Sequence, residues 1–497
     1  MPRVLLTNEQ KLVASSQARL VFVESVPGSG KTTVAAERFG VVRYVHSRSD
    51  PRAVVAVSFA RSATKELRDR VGRRWGARTL AAHNAITTMD RLHRAVVEFL
   101  LGTGRLRWPG GTVRPRLIDS WARQRGATQI SVTGPRNQRW ELGLNGDTLA
   151  LAYRAVLAPC WGMMYANRQA FVDSLVEGVC THDEIRQIVG AALGQQDLRA
   201  AIDEYLGRSL AHLIVDETFD LNGLDALIVR RVIESGVAVT LVGDPWQALY
   251  EWRGARPDMV HQLLADYQFV TLPMHTSFRF KTAETVALAR DLRQGRGVTL
   301  PPAKTDDVNV VLGSEWEHLL AAGGDVVPLS FGQFDCQTDA AICLLLDEVT
   351  RLRLGARARY LPEAYRCLRR EPESLDRLPY VLERLRDHSV ALTEVMADLR
   401  EATKIQGNRR PSLPGARLES RLARLSLLRQ WLSVEDRYFP GLTFHQAKGR
   451  EWAHVDVALD SAAQATLASG LDGTKEADRK LYVGLTRGSM STRVRAI

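Results

Sequence analysis

Eight consecutive residues, Ser25-Val26-Pro27-Gly28-Ser29-Gly30-Lys31-Thr32, combine small flexible positions with one ammonium and one hydroxyl group. That is the chemistry a polyphosphate requires. Glycines let the backbone curl until its N–H groups point inward at phosphate oxygens. Lys31 is placed to reach β- and γ-phosphates, and Thr32 offers a hard oxygen to Mg²⁺. The loop follows the apolar run Leu20-Val21-Phe22-Val23 and opens the helical stretch Thr33-Val34-Ala35-Ala36-Glu37-Arg38, so a helix N-terminus adds partial positive charge. Gly28, Ser29, Gly30, Lys31, Thr32 and Thr33 are therefore the expected phosphate-binding residues. Ser25 departs from the Gly or Ala usual at the start of such a loop.

Two carboxylates close another apolar run, Ile214-Val215-Asp216-Glu217, about 185 residues further on. Asp216 can hold Mg²⁺, usually through water, and Glu217 can polarise an attacking water. A bare strand end capping the next helix would read similarly. The stretch Leu241–Ala255 then joins a Gly-Asp-Pro turn to Gln247, Tyr250, Trp252 and Arg253. Gln247 is placed to sense phosphate or water. Tyr250 and Trp252 offer flat faces on which bases stack for ~1–3 kcal/mol each; core packing is the alternative use of such rings.

These residues need elements to position them. Residues 1–100 alternate β-branched runs such as Ala53–Phe59 with amphipathic stretches such as Ala63–Trp75, the rhythm of a parallel sheet. From about Gly102 to Leu210, Gly/Pro punctuation (Trp108-Pro109-Gly110-Gly111, Thr133-Gly134-Pro135) separates segments rich in Ala, Leu and Arg. The β rhythm returns at His212 and Val237, a third α/β region begins near Thr271, and Asp347–Leu432 is again helical and Arg/Leu-rich, with a loop at Arg409–Gly415. The expected fold class is α/β: two parallel-sheet domains, each with a mostly helical insertion, the second reduced. The expected boundaries are 1–101 with 211–270, insertion 102–210, then 271–346 with 433–497, insertion 347–432.

A chain of 497 residues exceeds the ~250–300 at which single cores stop growing, so several domains are expected. Sixty-seven Lys and Arg against 56 Asp and Glu leave +11, which suits a polyanion, nucleic acid first, although a solvated helical face would show the same surplus. Much of it lies in Arg351–Arg370 and Arg400–Arg429. No run approaches the ~20 apolar residues of a bilayer span, and Met1–Asn8 has no secretory h-region. Five scattered cysteines without a Cys-x-x-Cys pair argue for reduced thiols and against a disulfide framework or zinc site. The expected setting is cytoplasmic, without a membrane.

Taken in order, these blocks resemble superfamily 1 DNA helicases of the UvrD/Rep group. The resemblance implies two RecA-like domains, ATP with Mg²⁺ in the cleft between them, and movement 3′-to-5′ on single-stranded or partly duplex DNA. It extends to further blocks. Thr7-Asn8-Glu9-Gln10 is similar to the Q motif, with Gln10 on the adenine edge. Val57–Ala63 looks like motif Ia, with Phe59 toward a base and Ser58 or Arg61 near the DNA backbone, and Ile86–His93 like the following DNA-contacting block, with Thr87 and His93. Gly243–Ala255 resembles motif III: Gln247 as γ-phosphate sensor, Tyr250 and Trp252 as stacking faces, Arg253 linking DNA to ATP. His275–Arg279 resembles motif IV, with Phe278 on adenine and Arg279 as an arginine finger. Thr443–Trp452 is similar to motif V, with His445 and Lys448 toward DNA and Glu451 facing the nucleotide; Arg479–Gly488 is similar to motif VI, with Arg487 as second finger.

The chain departs from the family pattern in four ways. The D-E-x-Q-D block reads Asp216-Glu217-Thr218-Phe219-Asp220, so Phe219 replaces a glutamine that communicates between ATP and DNA. Arg450 stands where Leu is usual. Only about 160 residues separate motifs IV and V, which implies a small second insertion. About ten residues follow motif VI, so any cutting of DNA would fall to a separate nuclease chain. The helicase subunit of Gabija-type anti-phage systems has a similar compact plan. Two readings follow: an ATP-dependent translocase or helicase, or a DNA-stimulated ATPase switch in a larger complex with little unwinding of its own. The motifs do not separate DNA from RNA.

Overall fold

The protein is described by a computed structural model over residues 5–46, 50–59, 61–80, 84–118, 133–134, 138–155, 173–304, 307–332, 334, 336–368, 375–404, 415–434 and 436–497. Cys160 and residues 409–414 lie outside the described residues. The chain divides into two units, 1–278 and 279–497.

The first unit opens with helix α1 (Asn8–Ser15), whose start is fixed by a reciprocal box: the Gln10 N–H donates to Thr7 Oγ1 and the Thr7 N–H to Gln10 Oε1. Strand β1 (Leu20–Ser25) leads into α2 (Lys31–Val41), β2 (Ala53–Ser58) into α3 (Arg61–Trp75), and β3 (Ala85–Thr88) into α4 (Met89–Gly102). The inserted region holds β4 (Arg116–Leu117), β5 (Thr133–Gly134), β6 (Gln138–Asn145), β7 (Thr148–Ala155) and β8 (Val179–Cys180), then helices His182–Leu193 and Gln196–Ser209. Strands β9 (Leu210–Asp216), β10 (Ala238–Gly243) and β11 (Val270–Met274) complete the unit.

Six strands make one parallel sheet in the order β11-β1-β10-β9-β2-β3. Its strands are apolar on both faces because both are covered. Leu20, Phe22, Val55, Val57, Leu213 and Val215 face one core with α4 and the insertion. Val21, Val23, Val54, Ala56 and Ile214 face the other with α2 and α3.

Two expectations need correction. The insertion at 102–210 is not mostly helical among its described residues: β6 and β7 form an antiparallel hairpin, extended by β5, and β4 pairs with β8. The two-residue turn Gly146-Asp147, with Gly146 at φ 63°, is the device that makes it. The first unit also runs past residue 270, because β11 hydrogen-bonds along β1 from Val21↔Val270 to Ser25↔Met274.

The second unit carries β12 (Val310–Gly313), β13 (Val326–Pro328), β14 (Phe439–Thr443), β15 (Trp452–Leu459) and β16 (Gly488–Ala496), all parallel in the order β13-β14-β12-β15-β16. Between β13 and β14 lie helices Gln337–Leu354, Leu361–Leu368, Leu378–Arg386, Leu392–Ala402 and Gly415–Ser433, packed around Val349, Leu399 and Trp431. The first of these straddles the boundary expected at residue 347. Several arginines of this region staple its interior. Arg421 pairs with Asp339 at 2.9 Å with both side chains 6% exposed, and Arg353 and Arg429 donate to backbone carbonyls. These groups are spent inside the fold and offer little to a polyanion. Among the described residues, no helix is long and apolar enough to cross a membrane, and Cys180, Cys336, Cys343 and Cys367 are unbridged.

Candidate nucleotide site

Strand β1 ends at Ser25 and α2 begins at Lys31, and the loop between them turns through Gly28 at φ 75° and Gly30 at φ 85°. Only glycine takes that left-handed region freely. A Cβ on Gly30 would also stand 2.8 Å from Gln10 Nε2. The loop is braced on both sides. Gln10 Nε2 donates to the Ser29 carbonyl at 2.9 Å, and Ser25 Oγ donates to the Gly243 carbonyl at 2.8 Å. The second bond gives the unusual Ser25 a purpose: it ties the loop to the end of β10. Gln10 is almost fully buried, so here it serves the loop, with both ends of its amide engaged.

Asp216 closes β9 and is 3% exposed. Burial, reinforced by Glu217 and partly offset by Lys31, pushes its carboxyl up to about 7. Glu217 follows at φ 54°, a left-handed conformation costing of order 1–3 kcal/mol outside glycine. Lys31 Nζ lies 3.5 Å from Glu217 Oε2 and 3.5 Å from Gln247 Oε1. Gln247 is held in turn, donating Nε2 to Asp244 Oδ2 at 2.7 Å, while the Trp246 N–H donates to Asp244 Oδ1 at 3.1 Å. Thr218 Oγ1 lies 3.1 Å from the carbonyls of both Val215 and Val242, joining the ends of β9 and β10. Lys31, Asp216, Glu217 and Gln247 thus converge outside the carboxyl ends of β1, β9 and β10, where parallel sheets place their ligands.

The segment after β11 is fastened to the same loop. The Phe278 N–H donates to the Gly28 carbonyl at 2.9 Å, Ser277 Oγ to the Pro27 carbonyl at 2.7 Å, and the Thr276 N–H to Glu9 Oε2 at 3.1 Å. The Phe278 ring is 48% exposed beside the loop. Thr33 is engaged by Arg70, whose Nη1 donates to its Oγ1 at 2.8 Å. Thr32, the second residue of α2, is half-buried. The donor set Thr32 and Asp216 suits Mg²⁺, which takes few protein oxygens and keeps the rest as water and phosphate. Ser25, Asp244, Thr218, Ser277, Glu9 and Arg70 were not singled out as site residues from the sequence. Only the Gly-Asp-Pro turn hinted at one of them, Asp244.

Phe219 is core. It is 3% exposed, meets Phe22 edge-on at 6.1 Å and His261 at 5.2 Å, and lies so close to Gly243 that a Cβ there would stand 2.9 Å from its ring.

The expected nucleic-acid contacts fare unevenly. Trp252 is 52% exposed and Tyr250 half-buried, and the Arg253 guanidinium covers both rings, 4.5 Å and 5.4 Å from their centroids. Phe59 is half-buried against the core. Thr87 on β3 is 8% exposed. Arg61 begins α3, and its side chain lies outside the described residues. His93 is a correction: it is fully buried, 3.3 Å from Asp225, and its imidazole is pushed down to about 3 by burial and Arg186. It faces a buried carboxyl, so no strand reaches it.

In the second unit, Arg279 Nε donates to Glu451 Oε2 at 3.0 Å and Nη1 to the Thr486 carbonyl at 2.9 Å. Arg487 is fully buried, with Nε donating to the Val483 carbonyl at 2.8 Å. His445 lies on the short helix Phe444–Ala447 and Lys448 at its end, both half-buried. Gly484 lets the Phe444 ring press against the helix Glu476–Leu485; a Cβ there would meet the ring at 2.3 Å.

Residues 9–253 match the family model of an AAA domain. DNA helicase II of Escherichia coli (strain K12) is 23% identical over 343 residues, 65% of this chain and 42% of that protein. A probable DNA helicase of Mycoplasma pneumoniae is 24% identical over 310 residues, 58% of this chain and 55% of that protein. The ATP-dependent DNA helicase Rep of Salmonella typhimurium is 28% identical over 112 residues, 22% of this chain and 15% of that protein. The chain matches about half or less of the length of these curated relatives. It is a weak homologue of superfamily 1 helicases of the UvrD/Rep group.

Proposed function

We propose, from that homology, that this chain is an ATP-dependent DNA translocase or helicase moving 3′-to-5′ along single-stranded DNA. The observation that carries the reading is the convergence of Lys31, Asp216, Glu217 and Gln247 at the ends of adjacent parallel strands. Lys31 and the amides of Gly28–Thr33 would hold the phosphates, with adenine against Phe278, beside the loop that Gln10 braces. Thr32 and Asp216 would hold Mg²⁺, which when bound supplies charge neutralisation to the transferring phosphoryl group. Glu217 would take the proton of the attacking water while Gln247 orients it. Arg279 and Arg487, carried by the second unit with Glu451, are proposed to add positive charge to the transition state, a contribution worth ~10³–10⁵ in rate in related chemistry. Phe59, Arg61, Thr87, Tyr250, Trp252, Arg253, His445 and Lys448 are the proposed strand contacts.

Phe219 supports a second reading. A core aromatic stands at the position expected to relay between ATP and DNA, which favours a DNA-stimulated ATPase switch working beside a protein partner such as a nuclease chain. Steady-state ATP hydrolysis by the purified chain, with and without single-stranded DNA, tests the shared core of both readings. Strand displacement from a 3′-tailed duplex separates them. Hydrolysis absent with and without DNA would overturn both.

A further inference from the structure

A cavity of about 630 Å³ opens in the first unit at the end of the sheet opposite the candidate nucleotide site. Its lining includes Ala53, Ala85 and Leu210, the first residues of β2, β3 and β9. Strand β9 runs from this cavity to Asp216, seven residues or about 20 Å away. The floor is apolar, with Val55, Ile86 and Leu92, and the Tyr205 ring forms part of the wall, stacked on Phe99 at 4.5 Å. The rim carries Arg52, Arg68, Arg91 and Arg208, and among the described residues no Asp or Glu lines the space.

Two of these cations are already matched. Arg52 pairs with Asp50 at 2.8 Å and Arg208 with Glu204 at 2.9 Å. Arg68 donates Nη2 to the Ile86 carbonyl at 2.7 Å, which fixes its fork without neutralising it. Among the described residues neither Arg68 nor Arg91 has a carboxylate partner. Two uncompensated guanidiniums above an apolar floor select an anion attached to a flat apolar body, because guanidinium forks bind phosphate oxygens in pairs while the floor gains from covering apolar surface. The volume falls in the ~300–1,000 Å³ range of small-molecule sites.

We infer that this cavity is a second ligand site, for a small phosphorylated molecule of nucleotide size, separate from the Lys31 loop. Arg68 and Arg91 grip its phosphate, and Val55, Ile86, Leu92 and Tyr205 cover its ring. The inference does not rest on ATP hydrolysis and survives the failure of that reading.

The test uses the full chain carrying Lys31→Ala, which removes the loop's grip on polyphosphate, and a fluorescent adenosine 5′-monophosphate followed by anisotropy. Saturable binding is expected, displaced by unlabelled adenosine monophosphate and not by adenosine. Arg91→Glu, at an exposed residue, should weaken it about tenfold or more, as loss of a charge-assisted contact does; Arg68→Gln gives an independent second reading. Absence of saturable binding, equal displacement by adenosine, or an affinity unchanged in both variants would overturn the site. Thr87 also lines the cavity, so displacement by a short oligothymidylate lacking terminal phosphates would overturn it in favour of a strand contact.

Discussion

Lys31 is the residue on which the proposed chemistry turns, because it lies within reach of both Glu217, the proposed base, and Gln247, the proposed sensor. Lys31→Ala should lower ATP turnover by at least about 100-fold while leaving weak DNA binding, which a phosphate-release assay and a filter-binding assay read separately. Trp252→Ala should leave basal turnover unchanged and weaken stimulation by single-stranded DNA, since half of the ring is exposed. Asp216 carries a pH signature. Its folded-state pKa is raised to about 7, above the ordinary ~3.9 of an unfolded chain. The stability it lends is therefore fully present below pH ~4 and lost as pH rises through about 7. Asp216→Asn, which cannot ionise, should abolish turnover and melt higher than the parent at pH 8, with the advantage shrinking toward pH 5. A variant that melts lower at both values would show that the carboxylate is stabilised in place. Phe219→Gln should not strengthen the stimulation of turnover by DNA. It replaces the ring's packing beside Gly243 with a poorly fitting side chain and buries an amide, a cost of about 3 kcal/mol, visible as a lower denaturation midpoint with unchanged DNA stimulation.

At the scale of elements, the site is a set of strand ends held in register by side chains from neighbouring turns. Asp244 holds Gln247 and caps the short turn Pro245–Gln247. Asp244→Ala should lower kcat more than KM for ATP, because the sensor would lose its anchor while the loop stays intact. The same scale shows what was legible in the amino-acid order. β1 with its loop and the carboxyl end of β9 were readable because apolar runs broken by special residues are local signals. The β6–β7 hairpin was also written locally, in Gly146-Asp147 flanked by alternating residues, yet the Ala/Leu/Arg composition around it suggested helices. The burial of His93 is not legible locally, because nothing near it in sequence announces Asp225, its neighbour across 132 positions. The bond from Ser25 to Gly243 spans 218 positions and was invisible for the same reason.

For the whole molecule, a strand would meet fewer guanidiniums than the sequence carries, since the forks of arginines such as Arg353, Arg421 and Arg429 are engaged inside the second unit. DNA-stimulated turnover should still fall as salt rises, because each phosphate contact releases counterions. Stimulation unchanged between about 50 and 200 mM salt would show that the strand is not held by its backbone. The strand order carries a further consequence, for how the chain is made. β1 emerges early in synthesis, yet its neighbours on both sides are β10 and β11, ending at Met274. Through most of the making of the first unit, the strand that bears the nucleotide loop therefore has two open edges and no partner. Pairings this distant close slowly and leave apolar surface waiting. A ribosome-bound chain stopped before residue 238 should be readily cut by protease near β1, and one whose first 278 residues have cleared the exit tunnel should resist.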